Sequence, residues 1–183
     1  MTGSRSFTAA LLLLFAASAP LTTAGPARAD ELGEAMRAYA NMDFVGSFSI
    51  YSELASVGNV TAELELGVQY NYGEGVPQNF AEALYWYQKA ADQGSGAANY
   101  RIAWLYFRGQ GVLRSFRDGA KWMQTAADLG YTDAMEFIGD CYDNGCWDED
   151  DKLVVAQDKK KAAYWYGTAA ALGNRRAEEI LGK

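Results

Sequence analysis

Cys141 and Cys146 are the only thiols in a chain of 183 residues that contains no histidine. Without imidazole, the usual general base near neutral pH and the commonest zinc ligand are both missing. Two thiols alone do not make a closed zinc site, which takes four ligands. Their spacing is not the C-x-x-C of oxidoreductases either. Just beyond Cys146, the run Trp147-Asp148-Glu149-Asp150-Asp151 gathers acids. Calcium takes several oxygen ligands, but the alternating acids and central glycine of an EF-hand loop are absent, so residues 147–154 read as a solvated acidic loop. Gly73-Glu74-Gly75 and Gly109-Gln110-Gly111 resemble phosphate cradles in composition only. They lack the preceding strand and the Lys-Ser/Thr of a phosphate loop. No catalytic residue, metal or cofactor is therefore assigned.

The elements that carry these residues repeat. Gly73/Gly75 and Gly109/Gly111, Tyr70 and Tyr106, Trp86 and Trp122, and Gly94 and Gly130 all stand 36 residues apart. A fixed period of this size signals a solenoid, in which each helix pair buries its apolar face only against its neighbours. In the clearest unit, 59–94, helix A runs from Thr61 to Tyr72 with Ala62, Leu66 and Tyr70 on one side. Gly67 lets a neighbouring helix approach, and Gly73 to Pro77 turns the chain. Helix B, about Asn79 to Gln93, is capped by Asn79 and packs through Ala83, Trp86, Tyr87, Ala90 and Ala91. Unit 95–130 keeps the plan, with Ser115 as the cap and Trp122 and Met123 in the packing face. Unit 131–173 carries Ile138, Gly139 and Tyr142, then seven inserted residues between Gly145 and Lys161, then Trp165 and Tyr166. The opening unit, 31–58, is divergent: one helix from Glu31 to Ala40 and a second from Phe44 to about Val57, capped by Asp43 and ended by Gly58. Residues 174–183 begin a terminal capping helix. The fold class is all-α.

The recurring Trp86, Trp122, Trp165, Tyr70, Tyr106 and Tyr142 are the repeat's own packing residues. What remains is the other side of each helix A: Glu65, Gln69 and Tyr72; Arg101, Trp104 and Arg108; Phe137 and Asp140. Trp104 and Phe137 are large apolar groups where stacking does not require them, and Trp and Arg are the types most enriched in binding hot spots. The expectation is that Trp104, with Arg101 and Arg108, anchors an acidic or aromatic peptide segment. The competing reading is that these rings only contact neighbouring helices.

The first residues read differently. Arg5 begins a basic n-region, Phe7 to Ala19 is apolar apart from Thr8 and Ser18, and Ala27-Arg28-Ala29 has the small-x-small pattern of a cleavage site before Asp30. About 13 apolar residues fall short of the roughly 20 that span a bilayer, so 1–29 is expected to be a signal peptide and the mature domain 30–183 a soluble protein with no membrane span, exported to a bacterial periplasm. In that compartment an even cysteine count favours a structural Cys141–Cys146 bridge, with free thiols or a redox pair as alternatives. The leader holds Arg5 and Arg28 and no acid, so 14 of the 16 basic residues remain against all 23 acids, a net charge of −9. Such a chain repels phosphate backbones and is not expected to bind nucleic acid.

The series A-x-x-x-L-G-x-x-Y-x-x-G-x-G-V, Ala62 to Val76, followed by A-x-x-W-Y-x-K-A-A-x-x-G, Ala83 to Gly94, resembles the Sel-1-like repeat family, relatives of tetratricopeptide repeats. The resemblance implies a right-handed superhelix of antiparallel helix pairs whose concave side binds a protein or peptide, as an interaction or scaffold module with a regulatory role. Some cysteine-rich relatives are associated with penicillin binding and β-lactam hydrolysis, which makes an enzyme of that kind the alternative function. Against it, no S-x-x-K occurs in this chain, so an acylatable serine with its lysine is absent. The chain also departs from that branch in placing both cysteines in one repeat.

Overall fold

The computed structural model describes residues 26–148, 150 and 152–182; most of the expected leader, residues 1–25, lies outside them. Nine helices follow in order among the described residues: α1 Pro26–Ala40, α2 Phe44–Ser56, α3 Val60–Tyr72, α4 Phe80–Asp92, α5 Gly96–Arg108, α6 Phe116–Asp128, α7 Thr132–Asn144, α8 Lys159–Ala171 and α9 Arg175–Ile180. Each helix packs on the one before it and the one after, so the described residues form a stack of helix pairs. The core is accordingly divided along the stack. One cluster joins α1 to α3 through Tyr51, Leu54 and Leu66, the next joins α3 to α5 through Tyr87 and Ile102, and the last spans α5 to α9 around Met123, Ile138 and Tyr166.

Helix boundaries follow from local chemistry. A helix leaves its first amides without intrahelical partners, and short polar side chains supply acceptors for them. Asp43 accepts from the Gly46 amide, Asn79 from Ala81 and Glu82, and Ser115 from Asp118, as their positions predict. Asn59, Ser95, Asp158 and Asn174 do the same for α3, α5, α8 and α9. The first helix starts earlier than its apolar spacing suggested. Pro26 stands at its first position, where a missing N–H costs nothing and the fixed φ suits a helix, and Ala29 and Asp30 lie within it.

Small residues set how closely the pairs approach. A Cβ at Gly67 would run into the Tyr87 ring, and one at Gly139 would lie 2.7 Å from Cε1 of Tyr166. The second glycine of each G-x-G turn has a different reason. Gly111 has φ +73°, and its Cβ would meet the backbone of Phe80 at 2.8 Å; Gly75, at φ +78°, faces the Phe44 carbonyl in the same way. Each turn thus rests directly on the start of the B helix one unit back.

The inserted stretch is not a simple loop. Residues Cys146–Trp147 (β1) and Leu153–Val155 (β2) form a short antiparallel hairpin, with Cys146 opposite Val155 and Trp147 opposite Leu153. Asp148 closes it: its Oδ1 accepts the amides of Lys152 (2.8 Å) and Asp150 (3.1 Å), and its Oδ2 lies 3.6 Å from the Arg117 guanidinium. Those amides, Lys152 first, hold its carboxyl below the usual range. Cys141 and Cys146 are joined in a disulfide with their Cα atoms 5.0 Å apart, tying the end of α7 to β1. Periodicity could not show the hairpin, because an insertion is by definition outside the repeat.

Candidate partner-binding cleft

Where α3, α4 and α5 meet, the ends of the helices enclose a cleft of about 180 Å³. Tyr72 from the last turn of α3 forms one wall and is more than half exposed. Helix α5 supplies the other wall with Tyr100, Arg101, Trp104 and Arg108, four residues brought to one side by i, i+1, i+4, i+8 spacing. The Arg108 guanidinium lies over the Trp104 ring at 5.1 Å from its centroid, a contact that combines charge with a flat apolar surface. Tyr87 of α4 reaches the floor. It is 1% exposed, and its hydroxyl is buried with no hydrogen-bond partner.

The charges of the cleft are local. Arg101 makes no ion pair or hydrogen bond among the described residues. Glu65 of α3 lies close enough for the two charges to interact, but burial dominates and raises the Glu65 pKa above its ordinary value, with Arg101 acting in the opposite direction. Burial likewise pushes the Tyr87 hydroxyl well above the ordinary tyrosine range, again opposed by Arg101. The floor hydroxyl is therefore a neutral donor at physiological pH.

Of the residues singled out from the sequence, Tyr72, Arg101, Trp104 and Arg108 converge on this cleft, and Glu65 stands beside it. The others do not. Gln69 is buried, its amide donating to the Phe44 carbonyl (3.1 Å) and Ser47 Oγ (2.7 Å) of α2. Its register equivalents Leu105 and Cys141 are buried too, so this position faces the preceding unit in every repeat and is not on the groove wall. Phe137 stacks on Phe107 at 5.4 Å and belongs to the last core cluster. Trp104 shares in that packing, edge-on to Tyr100 (6.1 Å), Phe107 (5.5 Å) and Phe137 (6.1 Å), so it is wall and core at once. The idea that stacking does not require these two rings is corrected accordingly. Asp140 is engaged by its own unit and by the terminal helix, accepting from the Tyr166 hydroxyl at 2.6 Å and lying 3.6 Å from the Arg176 guanidinium. Tyr87 and Tyr100 were missed because the repeat pattern assigns Tyr87 to packing and Tyr100 to no role. The clue to Tyr87 was Met123, which fills the same place 36 residues later without a hydroxyl.

Stacked helix pairs at a 36-residue spacing define a repeat solenoid of the helical-hairpin class. The chain belongs to the Sel1 repeat family, whose model matches residues 60–95, 96–131 and 132–174. Proteins of this family typically mediate protein–protein interaction, and the fold is generally a non-enzymatic scaffold. Among solved structures, the chain is similar to c5321, a protective antigen present in uropathogenic Escherichia coli strains, with 31% identity over 85% of this chain and 32% of that one and a TM-score of 0.71. A Sel1 repeat protein from Oxalobacter formigenes is 28% identical over 85% of this chain and 62% of that one, TM-score 0.72. The immunity protein PA5088 from Pseudomonas aeruginosa is 30% identical over 69% of this chain and 46% of that one, TM-score 0.53. The chain thus spans less than two thirds of the length of each of these relatives. No curated protein matches it. Among the described residues no helix is long and apolar enough to cross a membrane, and the disulfide suits an oxidising compartment.

Proposed function

We propose that this chain is an interaction module of the bacterial periplasm that receives a segment of a partner protein in the cleft between its second and third units, acting as a scaffold or regulator. The observation that carries the reading is the convergence of Tyr72, Arg101, Trp104 and Arg108 on one cleft. Trp and Arg at a partly enclosed position are the residue types that dominate binding energy when a partner excludes water from them. The leader pattern of residues 1–29 supports export, and the Cys141–Cys146 bridge is consistent with it.

A photo-crosslinking side chain at Tyr72, at the exposed rim of the cleft, tests the reading in the native envelope. Discrete adducts identified by mass spectrometry are expected, together with their loss in the Arg108→Glu and Trp104→Ala proteins once circular dichroism has shown both to be folded. Adduct yields unchanged by both substitutions would refute it.

A further inference from the structure

We infer that the cleft is a carboxylate site: it takes the side chain of a single aspartate or glutamate from the partner segment, held between the Tyr87 hydroxyl and the Arg101 guanidinium. This rests on the reading of the cleft as a docking site and adds the chemistry of what docks.

The fold contains its own precedent. In the last full unit, Tyr166 of α8 packs over Gly139 of α7 and donates its hydroxyl to Asp140 at 2.6 Å, and the same carboxylate lies 3.6 Å from Arg176 of α9. The arrangement is a tyrosine, a carboxylate and an arginine on three successive helices. Tyr87 of α4 is the register equivalent of Tyr166, and it packs over Gly67 of α3 as Tyr166 does over Gly139. The helix after it, α5, again carries an arginine. Arg101 sits one helical turn beyond the place that corresponds to Arg176, on the same face of the helix. The carboxylate is what differs, because the equivalent of Asp140 in this unit is Val68. Two members of the triad therefore lie at the cleft without the third at that register; the nearest carboxylate of the chain, Glu65 one turn earlier on α3, interacts electrostatically with both but is hydrogen-bonded to neither.

Each member shows the consequence of that difference. The Tyr87 hydroxyl is buried without a hydrogen-bond partner, whereas that of Tyr166 is bonded. Arg101 makes no ion pair among the described residues, whereas Arg176 pairs with both Glu136 (2.8 Å) and Asp140 (3.6 Å). Buried polar groups are nearly always satisfied in folded proteins, so the Tyr87 hydroxyl calls for an acceptor, an ordered water or a ligand atom. A carboxylate is the group that accepts from a hydroxyl and a guanidinium at once, and hydrogen bonds to its charged form are the strong ones. The chain's own acidity limits the choice. With 23 acids against 14 bases from Asp30 onward, an acidic tract would be repelled, so one carboxylate flanked by uncharged residues is the fitting ligand. The cleft, of about 180 Å³, has room for a side chain of that size.

The test is an NMR titration of the folded chain with three blocked or free tripeptides as probes: acetyl-Ala-Asp-Ala-amide, acetyl-Ala-Asn-Ala-amide, and acetyl-Ala-Asn-Ala with a free carboxyl end. The Asp peptide is expected to shift the Arg101 side-chain and Trp104 indole signals and to bind about tenfold more tightly than either Asn peptide. The Tyr87→Phe protein keeps the ring over Gly67 and so keeps the fold, and it should lose most of that preference, as should Arg101→Gln. Equal binding of the Asp and blocked Asn peptides, or a preference intact in Tyr87→Phe, would overturn the inference. Tighter binding of the free-ended Asn peptide would also overturn it, by placing a chain terminus in the cleft. Crosslinks that depend on Trp104 and Arg108 while the Asp and Asn peptides bind alike would sink the carboxylate site and leave the docking module standing.

Discussion

The same substitution in two neighbouring helices of the last unit should move stability in opposite directions. Replacing glycine by alanine inside a helix gains about 1 kcal/mol from backbone entropy and propensity when nothing else changes. Gly167, inside α8, has no heavy atom within 4 Å of where a Cβ would stand, so Gly167→Ala should show that whole gain, about 1 kcal/mol or a melting point higher by roughly 2–4 °C. Gly139, inside α7, meets Cε1 and Cδ1 of Tyr166 at 2.7 and 2.8 Å. Carbon atoms settle at about 3.5–4.0 Å, so the ring must retreat by about 1 Å. It is poorly placed to do so: it is 5% exposed, and its hydroxyl is held by Asp140. Overpacking of this kind costs about 1–3 kcal/mol, which cancels the propensity gain and leaves a net loss of about 1 kcal/mol. The two variants should then differ by about 2 kcal/mol in guanidinium unfolding followed by circular dichroism at 222 nm. If Gly139→Ala proves as stable as Gly167→Ala, the claim that this glycine exists to admit the tyrosine ring is wrong.

Reduction of the Cys141–Cys146 bridge should lower stability by about 2 kcal/mol, the chain-entropy value for so short a ring; an unchanged guanidinium midpoint, with both thiols counted as free, would contradict this. Alkali should unfold the protein through its buried tyrosines. Burial pushes Tyr51 up to about 12 and holds Tyr39, Tyr87 and Tyr166 above the ordinary tyrosine range as well. With folded values above the unfolded value of about 10, stability is fully present below about pH 10 and is lost as pH rises toward about 12. Absorbance at 295 nm should therefore rise for these side chains together with the loss of helix; a nearly complete phenolate signal from all 12 tyrosines at about pH 11 in a still helical protein would refute it.

The stacking of helix pairs was legible because it is a property of spacing: a 36-residue period, alanines at fixed places, and caps at Asp43, Asn79 and Ser115 all act locally. The cleft was legible only in part. Arg101, Trp104 and Arg108 lie on one face of one helix, which i, i+4 spacing predicts. Gln69 lies at a comparable angle on α3, but a helix in the middle of a solenoid has neighbours on both sides, and α2 covers that angle. Tyr87 was invisible for the opposite reason. As a packing residue it is interchangeable with Met123, and only three-dimensional register shows that its hydroxyl lacks what Asp140 gives Tyr166. The hairpin of residues 146–155 depends on pairing across an insertion, which no periodic signal describes.

The second glycine of the G-x-G turn has one further consequence. At positions 75 and 111 it lets main chain rest on main chain, on Phe44 and Phe80 of the unit before. The third member of that series is Trp147, which is not a glycine. In its place the inserted hairpin reaches back to the start of α6 through the Asp148–Arg117 pair, whose arginine is more than half exposed. The first two joints of the turn row are thus fastened by atoms every residue shares, and they do not respond to the solution. The last includes a contact between opposite charges at a partly exposed site, which dissolved salt weakens. The turn row therefore has two joints built on main chain and one that includes a salt-sensitive pair, at the end of the molecule that also carries the disulfide.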